Sequence, residues 1–357
     1  MKGLKNRVLN ATPTQSISRR LMKTVQQGIG QERGWGRSRT GRAGLLGVAG
    51  VVIVAGAWVI AGNPYTVTIA ILACLYAVVA ASWDLTLGYA GLFDFSHAAF
   101  FGIGAYVCGM ITVDLNWSPW LGLVGAIAGG AVGAALVAGS VARLRGIYVA
   151  LASFAFAELV ATALTSSQSI SGGASGMVLI PTLQLGPWDL SGNTTTFLYI
   201  AIGAVIFSAV AMRWLMSSTF GLGVRAMRDY EEYALSRGVP VARHRIQIIA
   251  VSSMFASGAG ALFALYTGVA SPDLFGFSTS TLLLTMVILG GIGSVYGPVV
   301  GAVAVTAFVN IPQIAALNTE TYLITGALIL VILWILPGGL WSVLRRARAG
   351  RRGVVEY

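Results

Sequence analysis

The sequence predicts an all-α, polytopic integral membrane protein: a helical bundle of about ten transmembrane or partly re-entrant helices. Three observations predict it. Of the 357 residues, 56% are hydrophobic and only 10% are charged, with a mean hydropathy of +0.79. A soluble domain is about 25% charged, so this chain lacks the polar groups to cover a water-facing surface. High hydrophobicity also excludes a disordered chain. Second, apolar runs recur at about the 20 residues needed to cross a hydrocarbon core of roughly 30 Å. Third, all 23 Lys and Arg residues fall into four blocks that those runs separate.

The elements follow in chain order. Residues 1–44 form a basic tail, too long and too polar for the hydrophobic region of a cleaved signal peptide. The run that begins at Leu45, behind Arg37, Arg39 and Arg42, reads as an uncleaved signal-anchor. Within the tail, Ile17, Leu21, Val25 and Ile29 recur every four residues with Arg19, Arg20 and Lys23 between them. That pattern fits a short helix on an anionic leaflet, or a disordered basic tail. Membrane spans are expected near 45–62, 66–87, 98–113, 120–141, 147–165, 197–216, 246–269, 279–295, 297–312 and 321–341. The third, eighth and ninth are short enough to be re-entrant or broken. A second basic tail follows at 342–357, so the chain divides into tail, membrane domain (45–341) and tail.

The basic blocks set the expected sidedness. They are the tail to Arg42, the pair Arg143 and Arg145, the group from Arg213 to Arg245, and the tail from Arg345 to Arg352. With these inside, the connections at 63–65, 114–119, 166–196, 270–278 and 313–320 are external, and none contains Lys or Arg. An even number of spans then leaves both termini cytoplasmic. The net charge of +11 is thereby assigned to membrane topology, and no nucleic-acid partner is expected.

Several chemistries are excluded. Lys2, Lys5 and Lys23 are the only lysines, and none follows a glycine. The Gly-Lys pair that binds the β- and γ-phosphates in a P-loop is therefore missing. There is no supported Gly-x-Ser-x-Gly elbow. Two cysteines, Cys74 and Cys108, and two histidines, His97 and His244, match no metal or haem spacing, so no metal and no cofactor are expected.

Polar residues inside apolar runs mark the candidate sites. Gly88–Tyr106 mixes glycines and aromatics with Asp94, Ser96 and His97, groups that are costly in hydrocarbon. They read either as part of a broken helix lining a pathway or as a turn in which Asp94 caps the next helix. Glu158 stands mid-span, facing a path or pairing with Arg143 or Arg145. The stretch Ser171–Gly176, with Ser171 and Ser175, lines an outer mouth or forms a turn. Segment 217–245 is polar, and a helix from Leu222 to Arg237 would span roughly 24 Å before Gly238 and Pro240 end it.

These motifs carry a resemblance. Gly88–Tyr106 resembles the signature of permease subunits of branched-chain amino acid ABC importers, the LivM-type branch. Leu144–Leu151 with Phe154–Glu158 looks like the next block of that family. Ser171–Gly176 resembles its external Thr-Gly-Gly loop, with Ser171 in place of threonine, and Met286–Pro298 and Leu336–Leu340 resemble its late glycine-rich block and its ending. Glu232-Tyr-Ala234 with Gly238 resembles the Glu-Ala-Ala…Gly coupling loop of ABC importer permeases, departing from it at Tyr233.

The resemblance implies a transport subunit in a bacterial plasma membrane that is not itself an enzyme. It would work with a second permease subunit (LivH-type), two ATP-binding cassette ATPase subunits and an extracytoplasmic substrate-binding protein. Glu231, Glu232, Ala234 and Gly238 would contact the ATPase. Asp94, Ser96, His97, Glu158, Ser171 and Ser175 would lie along the translocation path. Urea and short-chain amide permeases resemble the same signature. An ion-coupled secondary transporter would instead use Asp94, His97 or Glu158 as proton sites.

Overall fold

The computed structural model describes residues 64–141, 144, 146–185, 188–189, 194–310 and 340. The two tails, the expected first span and all of the tenth but Leu340, together with Arg143 and Arg145, lie outside the described residues. What is described is helical, with four two-residue strands.

Six helices are long and apolar enough to cross a membrane. Helix α1 (Pro64–Asp84) continues through a π-helical turn, Leu85–Tyr89. Helix α2 (Ser96–Gly109) does the same through Met110–Asp114, so the expected short third span is in fact a crossing of 19 residues. Then come α3 (Pro119–Val141) and α4 (Ile147–Ser166). After a one-turn helix, α5 (Gln168–Ser171), and strands β1 (Met177–Val178), β2 (Gln184–Leu185) and β3 (Trp188–Asp189), the chain re-enters as α6 (Thr194–Ser217).

The polar segment forms two helices, α7 (Thr219–Asp229) and α8 (Glu231–Ser236). It is followed by α9 (Val241–Thr267), whose 27 residues make it the longest helix described. Strand β4 (Val269–Ala270) pairs antiparallel with β1. Two shorter helices, α10 (Phe277–Gly290) and α11 (Tyr296–Val309), have 14 residues each. At 1.5 Å per residue they reach about 21 Å, less than a hydrocarbon core, in line with the short eighth and ninth spans.

Small residues decide the packing. In hydrocarbon, helices associate through close van der Waals contact, so interfaces favour Gly, Ala and Ser. Helix α9 packs against both α2 and α3. A Cβ at Gly104 of α2 would stand 1.9 Å from the Ser257 carbonyl oxygen of α9, and one at Gly260 of α9 would stand 1.9 Å from the Phe101 carbonyl oxygen. The two backbones are therefore in direct contact. On the other side, a Cβ at Gly130 of α3 would meet Ser257 Oγ at 2.1 Å. Helix α1 lies against α9, α6 and α11, and the antiparallel pair α10–α11 closes on α1.

Burial is uneven. The apolar stretch of α1 is 78% buried within the chain and that of α4 only 22%, with Leu151 and Leu159 open on the α4 surface. At the end without basic residues, the β1–β4 pair and the bond from Ile180 N–H to the Gly268 carbonyl (3.1 Å) tie the α4–α6 connection to the end of α9.

Replacing Gly104 with valine should destabilise the bundle by about 3 kcal/mol or more, since neither backbone has room to move. Replacing Gly203, which has open space where a Cβ would lie, with alanine should stabilise α6 by up to about 1 kcal/mol. Thermal unfolding of the detergent-solubilised variants separates the two; similar melting curves would refute the backbone contact.

Candidate functional site

The basic end of the bundle carries the polar helices α7 and α8. Helix α7 buries Gly221, Val224 and Met227 and leaves Leu222 exposed. Its start is fixed by the ring of Phe220 stacked on His244 of α9, with centroids 5.2 Å apart and planes 7° from parallel. Gly223 permits the stack, because a Cβ there would lie 2.5 Å from His244 Nε2.

The single helix expected from Leu222 to Arg237 does not form. Tyr230 is extended (φ −152°, ψ 93°) and breaks it. Two interactions favour the restart at Glu231. Glu231 and Glu232 occupy the first turn of α8, where the unpaired N–H groups favour negative charge. Glu231 also pairs with Arg245 of α9 at 2.8 Å. A continuous helix would swing that carboxylate away from a guanidinium that is otherwise buried.

Helix α8 ends as the sequence predicts. Gly238 (φ +80°) follows its last turn, Val239 N–H donates to the Ala234 carbonyl at 3.0 Å and Gly238 N–H to the Leu235 carbonyl at 3.0 Å. This is the Schellman arrangement, which satisfies carbonyls that the helix end leaves free. Ala234 is buried, while Glu232, Tyr233 and Leu235 face outward. Tyr230 is also open, so the segment presents a mixed surface of aromatic, apolar and charged side chains at the basic end.

Of the four residues expected to contact an ATPase, then, Glu232 and Gly238 are exposed, whereas Glu231 and Ala234 turn inward and hold α8 in place. Beneath them lies a cavity of about 710 Å³. Its wall is aromatic (Phe93, Phe95, Phe154 and Phe277), with Arg228, Glu231 and Arg245 at one side.

Asp94, Ser96 and His97 are all buried within the chain. Asp94 Oδ1 accepts from the Ser96 N–H (3.3 Å) and the Ser96 hydroxyl (3.1 Å) and lies 2.9 Å from His97 Nδ1. His97 stacks on Trp83 of α1, with centroids 5.4 Å apart and planes 5° from parallel. The trio is thus the cap that starts α2, bonded to the end of α1 by ring stacking. The Phe95 N–H donates to Ser153 Oγ at 2.8 Å and anchors the same turn to α4.

Glu158 stands apart from that cluster, on the exposed side of α4. Ser171 is buried and its hydroxyl donates to the carbonyls of Leu164 and Ser167, closing the end of α4; Ser175 is exposed. The structure therefore brings Asp94, Ser96 and His97 together and leaves Glu158, Ser171 and Ser175 as separate features.

Three residues that matter were not singled out by sequence reasoning. Arg245 holds Glu231; its signal is an Arg at the edge of an apolar run. Asp84 is fully buried in the last turn of α1, and Arg228 of α7 reaches across toward it. The carboxylate of Asp84 was legible as a charge inside a span, the same signal that picked out Glu158.

A family model described as "Branched-chain amino acid transport system / permease component" matches residues 65–333. The LivM permease of the high-affinity branched-chain amino acid transport system of Escherichia coli K12 is 28% identical over 307 residues, covering 78% of this chain and 71% of that protein. A probable LivM protein of Methanocaldococcus jannaschii is 25% identical over 313 residues, 74% of this chain and 90% of the relative. The LivH permease of Salmonella typhimurium is 25% identical over 288 residues, 75% and 92% respectively. No solved structure matches the chain. The match takes in every described helix from α1 to α11, including the capped turn at Asp94 and the broken polar segment, and this chain belongs to the family of branched-chain amino acid transport system permease components.

Proposed function

We propose that the chain is one of the permease subunits of an ATP-binding cassette importer that carries leucine, isoleucine and valine across a bacterial plasma membrane, with its basic end in the cytoplasm. The observation that carries this reading is the two-sided α7–α8 segment. Its inner side is locked to the bundle by Val224, Met227, Ala234 and the Glu231–Arg245 pair, while Leu222, Tyr230, Glu232, Tyr233 and Leu235 are left open. A segment held firmly on one side, with aromatic, apolar and charged side chains open on the other, suits a groove on a partner. One of two ATPase subunits would dock there and supply the force, since this sequence has no Gly-Lys phosphate loop of its own.

The translocation path runs along the open side of α4. Glu158 sits there in mid-helix, where a carboxylate against lipid would cost roughly 2.5–3.5 kcal/mol. The second permease subunit, LivH-type, faces it across the path. The cap of Asp94, Ser96 and His97 holds the inner end of the path in shape, and Ser171 and Ser175 stand at its outer mouth, where a substrate-binding protein delivers the amino acid.

Two measurements test the reading. Tyr233→Ala should weaken docking of the ATPase by about 2 kcal/mol, roughly 30-fold, so that the ATPase no longer co-purifies while the chain keeps its melting temperature. Uptake of labelled leucine by the reconstituted complex should require ATP, be competed by isoleucine and valine, and be indifferent to urea; competition by urea would place the chain with the amide permeases.

The inner lock is tested separately by a double-mutant cycle on Glu231→Gln and Arg245→Gln. The pair is partly open to solvent, so its interaction energy should be about 1–2 kcal/mol, below that of a fully buried pair. Additive effects would show that α8 is held by other contacts.

A further inference from the structure

Asp84 closes α1 at a place where three separated segments meet. It is fully buried, and its Oδ1 accepts the N–H of Gly293, 209 positions away, at 2.7 Å. Gly293 lies in the turn between α10 and α11, where Gly291 and Gly293 both take positive φ (111° and 81°). The fit leaves no slack: a Cβ at Gly88 would stand 2.1 Å from Asp84 Oδ1 and 2.5 Å from the Gly293 nitrogen.

Helix α7 reaches the same place from the outside. A Cβ on Gly293 would lie 3.5 Å from Arg228 Nη1, and one on Gly91 would lie 3.0 Å from Arg228 Cγ. One turn back, the Arg225 guanidinium lies 5.7 Å from the centre of the Tyr89 ring, on the π-helical end of α1. Helix α7 therefore rests on both irregular segments, the end of α1 and the α10–α11 turn. Without Asp84, the turn would lose a buried side-chain acceptor that holds it to α1.

We propose that Asp84 is a positioning residue that latches the Gly291–Val295 turn to α1, and that this turn, held between Asp84 and Arg228, passes the movement of α7 to the α10–α11 pair. The coupling half of the proposal rests on the reading of α7–α8 as an ATPase dock; the latch itself does not. Among the described apolar helices, α10 and α11 are shorter than a hydrocarbon core is thick, so they can shift as a unit without dragging a full crossing through lipid.

The latch is read on the full chain in membrane vesicles, with Val295→Cys as reporter in a Cys74→Ala, Cys108→Ala background. Val295 is buried beside the turn. Asp84→Ala should raise the maleimide labelling rate of that cysteine about tenfold, as expected when a buried N–H loses its acceptor. Asp84→Asn keeps an oxygen acceptor and should stay near the parent rate. Equal rates in all three chains overturn the latch.

Coupling is read in the complete complex, with its ATPases and binding protein, as leucine carried per ATP hydrolysed. Asp84→Ala should lower that ratio about tenfold and Asp84→Asn should restore most of it. Arg228→Ala, a change at an exposed side chain that leaves folding intact, should lower it about threefold. An unchanged ratio in Arg228→Ala, or equal loss in Asp84→Ala and Asp84→Asn, overturns the transmission. Leucine uptake without ATP in the parent complex defeats the ABC reading instead, and the labelling result still decides the latch.

Discussion

Helices in hydrocarbon gain nothing by hiding apolar surface from one another, so this chain is held together where its side chains are small enough for backbones to touch. Gly104 and Gly260 bring α2 and α9 into such contact, and Gly130 brings α3 onto Ser257 of the same helix. The rest depends on that three-helix centre. It fixes the middle of α9, and α9 in turn presents His244 and Arg245 to the polar segment at the basic end. The position of α7 and α8 is thus a consequence of glycine contacts several turns away.

The helical architecture was legible in the sequence because an apolar run of span length has few other outcomes. Eight of the ten expected spans correspond to α1, α2, α3, α4, α6, α9, α10 and α11, and the other two lie outside the described residues, apart from Leu340. The errors have identifiable causes. The third span looked short because its polar start, Ser96-His97, was read as lying before the helix, whereas Asp94 caps that helix and draws both residues into it. The break at Tyr230 could not be read from periodicity, since one interaction that favours it is an ion pair to Arg245, which belongs to another helix.

The candidate site was less legible, and for a physical reason. A sequence shows that a polar residue sits in an apolar run but not which way the helix turns it. Asp94 and Glu158 gave the same signal; one proves to be wholly inside the chain and bonded to its neighbours, the other open on a helix surface. Asp84 gave it too, and its role depends on a backbone N–H 209 positions further on. Such a partner leaves no mark in the side-chain pattern.

The bareness of α4 has a consequence for the life of the protein. With 22% of its apolar stretch covered by its own chain and Glu158 left facing outward, an orphan copy would hold a carboxylate against acyl chains. That penalty, about 3 kcal/mol, is a sizeable fraction of the stability of an ordinary domain. Surplus molecules made without neighbours would then be open to proteolysis, and the abundance of this subunit would follow the supply of whatever shields that helix.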